Sequence, residues 1–231
     1  MHVLALDTST PRVAVALGRS GHIVGEVCLT GERRHAEQLV PAIQYLSREC
    51  SIELSSLAAI AAGIGPGLFT GLRVGLTTAR TMAQALRIPV VGVPSLDLVA
   101  YPLRHSGRPI VVVVDARRRE VFHARYRPVP GGVQRETEYA VVAPGAVVSE
   151  LTARGEEVLL AGDGVLAHAE VFAELERVED AGPAAAYPSA AALIELASAR
   201  VEREEFCAPT DLHPLYLRRS DAEIEWERLG R

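Results

Sequence analysis

An apolar run that ends in an acid occurs twice in this chain. It appears as His2-Val3-Leu4-Ala5-Leu6-Asp7 and again as Ile110-Val111-Val112-Val113-Val114-Asp115. A short continuous apolar stretch of this kind reads as a strand covered on both faces. After the first, Val13–Leu17 ends at Gly18 and Gly21, and a third run spans Ile23–Leu29. The three form an antiparallel meander joined by tight turns. A helical pattern follows at 35–50, where Ala36, Leu39, Val40, Ile43, Leu46 and Cys50 recur at helical spacing. Pro41 falls inside it, which points to a later helix start or a kink. Leu57–Ala62 reads as a buried strand, 70–87 as a helix with Leu72, Leu76, Ala79, Met82, Ala83 and Leu86 on one face, and Pro89–Val93 as another strand. Ser95 is expected to cap a short helix.

The stretch from Arg104 to Arg108 is polar, with glycine and proline, and marks a boundary. Beyond it the plan restarts. The second acid-tipped strand turns through Ala116–Arg119 into a strand at Val121–Arg127, and Glu138–Val142 is expected as a third. Helix, strand and helix are expected near 145–154, 157–162 and 164–176, and a long alanine-rich helix near 188–203. The order of elements repeats, although the residues do not align. The expectation is two lobes facing across a cleft, 1–104 and 105–231, with the charged C-terminal tail free to return to the first lobe.

Composition removes several kinds of chemistry. All 24 basic residues are arginine, so no Schiff-base lysine, pyridoxal-phosphate anchor or P-loop lysine exists. Asparagine is also absent, and with it any N-glycosylation acceptor. Cys28, Cys50 and Cys207 are odd in number and far apart, which suits reduced thiols rather than a disulfide framework. A net charge of -5 argues against broad nucleic-acid binding but leaves room for a local basic patch. No apolar run is long enough to span a bilayer, and Asp7 interrupts the N-terminal apolar stretch early. The chain reads as cytoplasmic.

Four motifs carry chemistry. In Asp7-Thr8-Ser9-Thr10, hydroxyls and backbone N–H groups can face phosphate oxygens while the carboxylate holds a metal through water. A hydroxyl-stabilised hairpin turn accounts for the same residues. Gly65, Gly67, Gly71 and Gly75 precede or open a helix, where glycines allow close approach to an anion. The block is not a P-loop, because Leu72 and Arg73 follow Gly71, and not a dinucleotide fingerprint, because its glycine spacing lacks the third glycine at the right offset. Gly71 and Gly75, four apart, also suit close helix packing. His35-Ala36-Glu37 lacks the second histidine of a zinc helix, since Leu39 stands at that place. Arg117-Arg118-Arg119 could meet phosphate or carboxylate, or be a solvated hairpin tip. No GxSxG nucleophile elbow is present.

These motifs resemble the TsaB family, also known as YeaZ. The resemblance rests on Asp7–Thr10, on His35–Pro41 and above all on Gly65–Gly75. Asp115–Phe122 and Pro214–Arg218 extend it. It implies a two-lobed actin-like (ASKHA, ribonuclease H-like) α/β fold. It further implies a non-catalytic scaffold subunit that dimerises with a catalytic paralogue, TsaD, in placing a threonylcarbamoyl group on the adenosine beside the anticodon of ANN-decoding tRNAs. A TsaE-like ATPase would join them, a homodimer could form when the chain is alone, and tRNA would be engaged indirectly. No cofactor of its own is implied; ATP or ADP and metal would lie with the partner subunits.

Pairing in the family uses the two helices of the first lobe, 1–104. The interface expected here comprises His35, Glu37, Leu39, Ile43, Leu46, Phe69, Thr70, Gly71, Arg73, Gly75, Thr78 and Met82. Asp7, Thr8, Ser9, Thr10, Gly65 and Gly67 are the nucleotide or phosphate candidates, and Arg117, Arg118 and Arg119 the tRNA or phosphate candidates. No catalytic or metal residue is assigned. Two other readings stand beside this one: an autonomous actin-fold ATPase or small-molecule kinase, and a peptidase.

Overall fold

The computed structural model describes residues 1–31 and 34–218. The first sheet has the order β3-β2-β1-β4-β5. Strands β1 (His2–Asp7), β2 (Arg12–Arg19) and β3 (His22–Thr30) form the expected antiparallel meander. Helix α1 (His35–Glu49) then crosses to β4 (Leu57–Gly63), and α2 (Phe69–Leu86) crosses to β5 (Val90–Val93), both strands parallel to β1. Short helix α3 (Ser95–Ala100) leads to the second lobe.

There β6 (Ile110–Arg117), β7 (Glu120–Val129) and β8 (Gly132–Arg135) repeat the meander, and β9 (Ala140–Val142) pairs with the other end of β7. Helix α4 (Pro144–Arg154), β10 (Val158–Ala161), helices α5 (Asp163–Ala167) and α6 (Ala169–Phe172) and β11 (Val178–Asp180) follow. Read from the other edge, the second sheet runs β8-β7-β6-β10-β11, the order of the first. Helix α7 (Ala190–Glu202) closes the regular structure.

Both faces of the first sheet are covered, which is why β1 is apolar throughout. Leu4 and Leu6 pack with Leu39, Ile43 and Leu46 of α1 and Leu76, Ala79 and Ala83 of α2. Val3, Ala5, Ala14 and Ala16 pack with Leu193, Ile194 and Ala197 of α7 on the opposite face. The approach of α7 is close: a Cβ at Gly18 would stand 2.3 Å from Ile194 Cγ2. On the second sheet, Val112, Val114 and Tyr126 pack with Leu96 and Val99 of α3, while Val111, Val113 and Val121 pack with Val147 and Leu151 of α4.

Several local expectations need correction. Helix α1 begins at His35, and Pro41 lies inside it, held there by buried residues on either side, Leu39 and Ile43. Ser95 does not cap α3; its hydroxyl turns to Asp7 instead. The third strand of the second meander is split into β8 and β9. The helix expected at 164–176 breaks at His168 into α5 and α6. Helix α7 follows the boundary at 105 in sequence but packs on the first sheet, because its small and branched apolar face fits the alanines of β1 and β2.

The segment after α7 ties both lobes together. Cys207 N donates to Val90 O, Leu212 enters the core under α1 and α2, and Leu215 N donates to Ile64 O at 2.7 Å. Two residues on, Leu217 joins the core of the second sheet. Arg218 Nη1 donates to Glu120 at 2.6 Å and Nη2 to Ala116 O at 3.1 Å.

Candidate functional site

The end of β1 meets the ends of β4 and α3 at Asp7. Its Oδ1 accepts from Ser9 N at 2.9 Å and from Ser9 Oγ at 2.7 Å, and its Oδ2 accepts from Ser95 Oγ at 2.8 Å. Gly65 N donates to the same Ser95 hydroxyl. Burial raises the Asp7 carboxyl above the usual aspartate range even though all three hydrogen bonds pull it down.

The glycine block closes over this turn. Thr8 Oγ1 donates to Gly71 O at 2.7 Å. A Cβ at Gly71 would lie 2.0 Å from Thr8 O, one at Gly75 2.3 Å from Thr8 Oγ1, and one at Gly67 2.3 Å from Ser9 O. Leu68 N donates to Ser9 O, and His35 Nε2 donates to Thr10 O at 2.7 Å. Asp7, Thr8, Ser9 and Thr10 are each at most 1% exposed. The sequence alternatives were phosphate cradle or helix packing. The contacts are packing, made against the chain's own turn. A nucleotide phosphate does not fit here: the space is filled by α2, and the Ser9 N–H and Thr8 hydroxyl already donate within the chain.

The same geometry sorts the expected partner residues. Leu39, Ile43 and Leu46 are buried in the core, and Gly71 and Gly75 face Thr8, so none of the five is presented outward. The apolar stripe of α1 is its inner face. His35 is buried against Thr10. Glu37, Thr70 and Arg73 are exposed, while Phe69, Thr78 and Met82 are half-buried. The outer face of α1 also presents Val40, 46% exposed, and Tyr45, 50% exposed, together with Pro41. These were absent from the expected interface, although an apolar residue out of phase with the 39/43/46 stripe was a signal for them.

At the first turn of α2, the Arg73 guanidinium sits 4.0 Å over the Phe69 ring. The Phe69 and Tyr216 rings are 5.2 Å apart and tilted by 30°, and Arg73 Nε donates to Tyr216 Oη at 3.4 Å. Tyr216 is 41% exposed.

The three arginines form the tip of the β6–β7 hairpin, all exposed. Arg117 pairs in register with Glu120, leaving Arg118 and Arg119 as a two-residue loop. Their φ values are 55° and 61°, and Arg117 has φ 63° beside a register shift. Positive φ at both central positions is the type I′ hairpin geometry, which favours Asn-Gly. A non-glycine residue held in this region costs roughly 1–2 kcal/mol.

Asp115 ends the apolar run of β6, two residues before the strand's end, as Asp7 ends β1. Its N–H donates to Asp163 Oδ1 at 3.0 Å, and its own Oδ2 stands 3.2 Å from Arg117 Nη1. Burial, together with the neighbouring Asp115 charge, pushes the Asp163 carboxyl up to about 6. Among the described residues no group of three or more His, Cys, Asp or Glu side chains could hold a metal ion.

A family model described as "TsaD: tRNA N6-adenosine threonylcarbamoyltransferase" matches residues 22–226. The tRNA threonylcarbamoyladenosine biosynthesis protein TsaB of Bacillus subtilis is 30% identical over 98% of this chain and 98% of its own length. An uncharacterized protein of Mycobacterium tuberculosis is 37% identical over 96% of this chain and 93% of its own. The structure of YeaZ from Pseudomonas aeruginosa superposes with a TM-score of 0.80 at 30% identity, covering 94% of this chain and 99% of that one. The ethanolamine utilization protein EutJ of Carboxydothermus hydrogenoformans shares the fold alone, with a TM-score of 0.51 at 11% identity over 86% of this chain and 89% of that one. With its doubled sheet order, its two-lobed actin-like fold and these near full-length relatives, the chain belongs to the TsaB (YeaZ) family.

Proposed function

We propose that this chain serves tRNA threonylcarbamoyladenosine biosynthesis as a non-catalytic scaffold that dimerises with a TsaD-like catalytic subunit. The observation that carries the reading is the sealed Asp7–Thr10 turn, where an actin-like ATPase would hold its phosphates. A chain whose phosphate turn is filled by its own glycine helix is better suited to presenting a surface than to turning over a nucleotide. That surface is the outer side of α1 and α2, with Val40, Pro41 and Tyr45 exposed on α1, Thr70 exposed on α2, and Thr78 and Met82 of α2 half-buried. Large apolar side chains exposed on one helix face, here Val40 and Tyr45 of α1, suit a protein contact.

In this role a TsaE-like ATPase joins the pair, ATP or ADP and metal belong to the partner subunits, and the chain alone self-associates through the same face. It works in the cytoplasm; no helix among the described residues is long and apolar enough to cross a membrane.

Reconstitution with TsaD, TsaE and threonylcarbamoyl-adenylate tests the proposal. Omitting this chain is expected to abolish modification, and equal modification without it refutes the role. An autonomous ATPase or kinase would instead bind ATP and magnesium tightly on its own and lose them in Asp7→Ala. Calorimetry on the isolated chain is expected to show no such binding.

A further inference from the structure

Strand β3 is the longest open sheet edge among the described residues. It stands at the end of the first sheet and pairs there only with β2. The opposite edge, β5, has four residues, and Cys207 bonds to Val90 across it. The ends of the second sheet, β8 and β11, have four and three. β3 has nine residues. It carries Ile23, Val24 and Leu29, three of the nine large apolar side chains exposed among the described residues. Such an edge is commonly blunted by lysine or proline or covered by another element. Here the chain has no lysine, the strand has no proline, and Glu26 is its one acid.

Glu26, Cys28 and Thr30 stand opposite Ala16, Ala14 and Arg12 of β2. Those alanines pack under α7, so the three side chains share the α7 face of the sheet. Arg12 reaches across that face towards the edge, its Nε donating to Thr30 Oγ1 at 3.2 Å. We propose that β3 docks antiparallel on β3 of a second copy of this chain, about a two-fold axis at Cys28, joining two five-stranded sheets into one.

Charge selects both the occupant and the register. Opposed side chains must share a face, so the axis falls on a residue. An axis at Glu26, the midpoint of the strand, would set two carboxylates against each other. An axis nearer the turn would run the pairing into the register shift beside Leu17 and Gly18. An axis at Val27 would set Glu26 opposite Cys28, one pair further from Arg12. An axis at Cys28 sets Glu26 opposite Thr30 of the second copy, in line with its Arg12, and symmetry makes this ion pair twice. The same register lays the exposed Leu29 against Val27, which packs on the core of the first lobe.

The inference is independent of the scaffold role. Because self-association through the α1–α2 face is also expected, the test is made in the Tyr45→Glu chain, where that face is disrupted. Sedimentation velocity across a concentration series is expected to show a dimer. Glu26→Arg is expected to weaken it about tenfold, and Arg12→Glu added to Glu26→Arg to restore it. Glu26 is exposed, so Glu26→Arg should leave the melting temperature unchanged. Opposed residues of an antiparallel pair have Cα atoms about 4.5–5.5 Å apart, within disulfide reach. Copper phenanthroline should therefore cross-link the dimer through native Cys28. Cys28→Ser should abolish the cross-link, and Glu26→Arg should slow it about tenfold.

A monomer at every concentration overturns the proposal. So does a dimer indifferent to Glu26→Arg, one that the charge swap fails to restore, or cross-linking that survives Cys28→Ser. If Glu26→Arg leaves the dimer intact but releases a TsaD-family subunit, the edge belongs to that partner and the proposal fails. Loss of partner capture in Tyr45→Glu alone bears on the scaffold reading and leaves the β3 dimer standing.

Discussion

Asp163 accepts the backbone N–H of Asp115 and is buried, with the charges of Asp115 and Arg117 nearby. Its folded pKa, about 6, lies above its ordinary value of 3.8, so the native state prefers the protonated acid. The linkage then has a definite sign: stability falls as pH rises from about 4 to about 6, and the ionised group costs at most about 3 kcal/mol above that window. Asp163→Asn keeps an oxygen for the Asp115 N–H and removes the charge. It is expected to raise stability at pH 7 by up to that amount and to flatten the pH profile between 4 and 6, read by urea unfolding across pH. Asp7 is raised by burial in the same direction. In that case the carboxylate also organises Ser9 and Ser95, so substitution there disturbs the turn itself.

Helix α2 shows how an element can be bound to the sheet by what it lacks. Alanine is the better helix former, by about 1 kcal/mol over glycine. Gly71→Ala is nonetheless expected to destabilise the chain by about 2 kcal/mol, because its methyl would press on the Thr8 carbonyl, which the β1–β2 turn fixes. Urea midpoints measure this, and a neutral or stabilising result would show that the turn yields. On α1, Tyr45→Glu touches only the outer face and should leave stability within about 0.5 kcal/mol.

The helices themselves were legible from the 3.6-residue spacing, and α1 and α2 lie where the stripe puts them. What the stripe could not say is which buried surface it meets. Leu39, Ile43 and Leu46 have the pattern of either a core or a partner seam, and only the sheet beneath decides. Likewise the Gly71 and Gly75 spacing announced close approach without naming Thr8 as the neighbour. Ser95 looked like a cap because capping is local, whereas its actual partner, Asp7, is 88 residues away in sequence.

At the scale of the molecule, two lobes with one strand order are joined by more than the α3 connection. Leu212, 2% exposed, plugs the core of the first lobe from the far end of the described chain. Leu212→Ala is expected to cost about 2–5 kcal/mol, measured by calorimetry. It should lower the stability of the whole chain rather than loosen a tail. The doubling of the fold was readable because an acid-tipped strand and its meander recur. The return of α7 to the first sheet was not, since an alanine-rich amphipathic helix carries no address for the sheet it will cover.

That return sets an order of events during synthesis. Strands β1 and β2 leave the ribosome first, with Ala5, Ala14 and Ala16 uncovered on the side that α7 will occupy. Their cover is translated only after the entire second sheet. The earliest-made lobe is therefore the last to be finished, and its long-range pairing must wait on nearly the whole chain. A nascent chain stalled before residue 190 should expose an open apolar sheet face, a target for chaperones that the completed protein no longer presents.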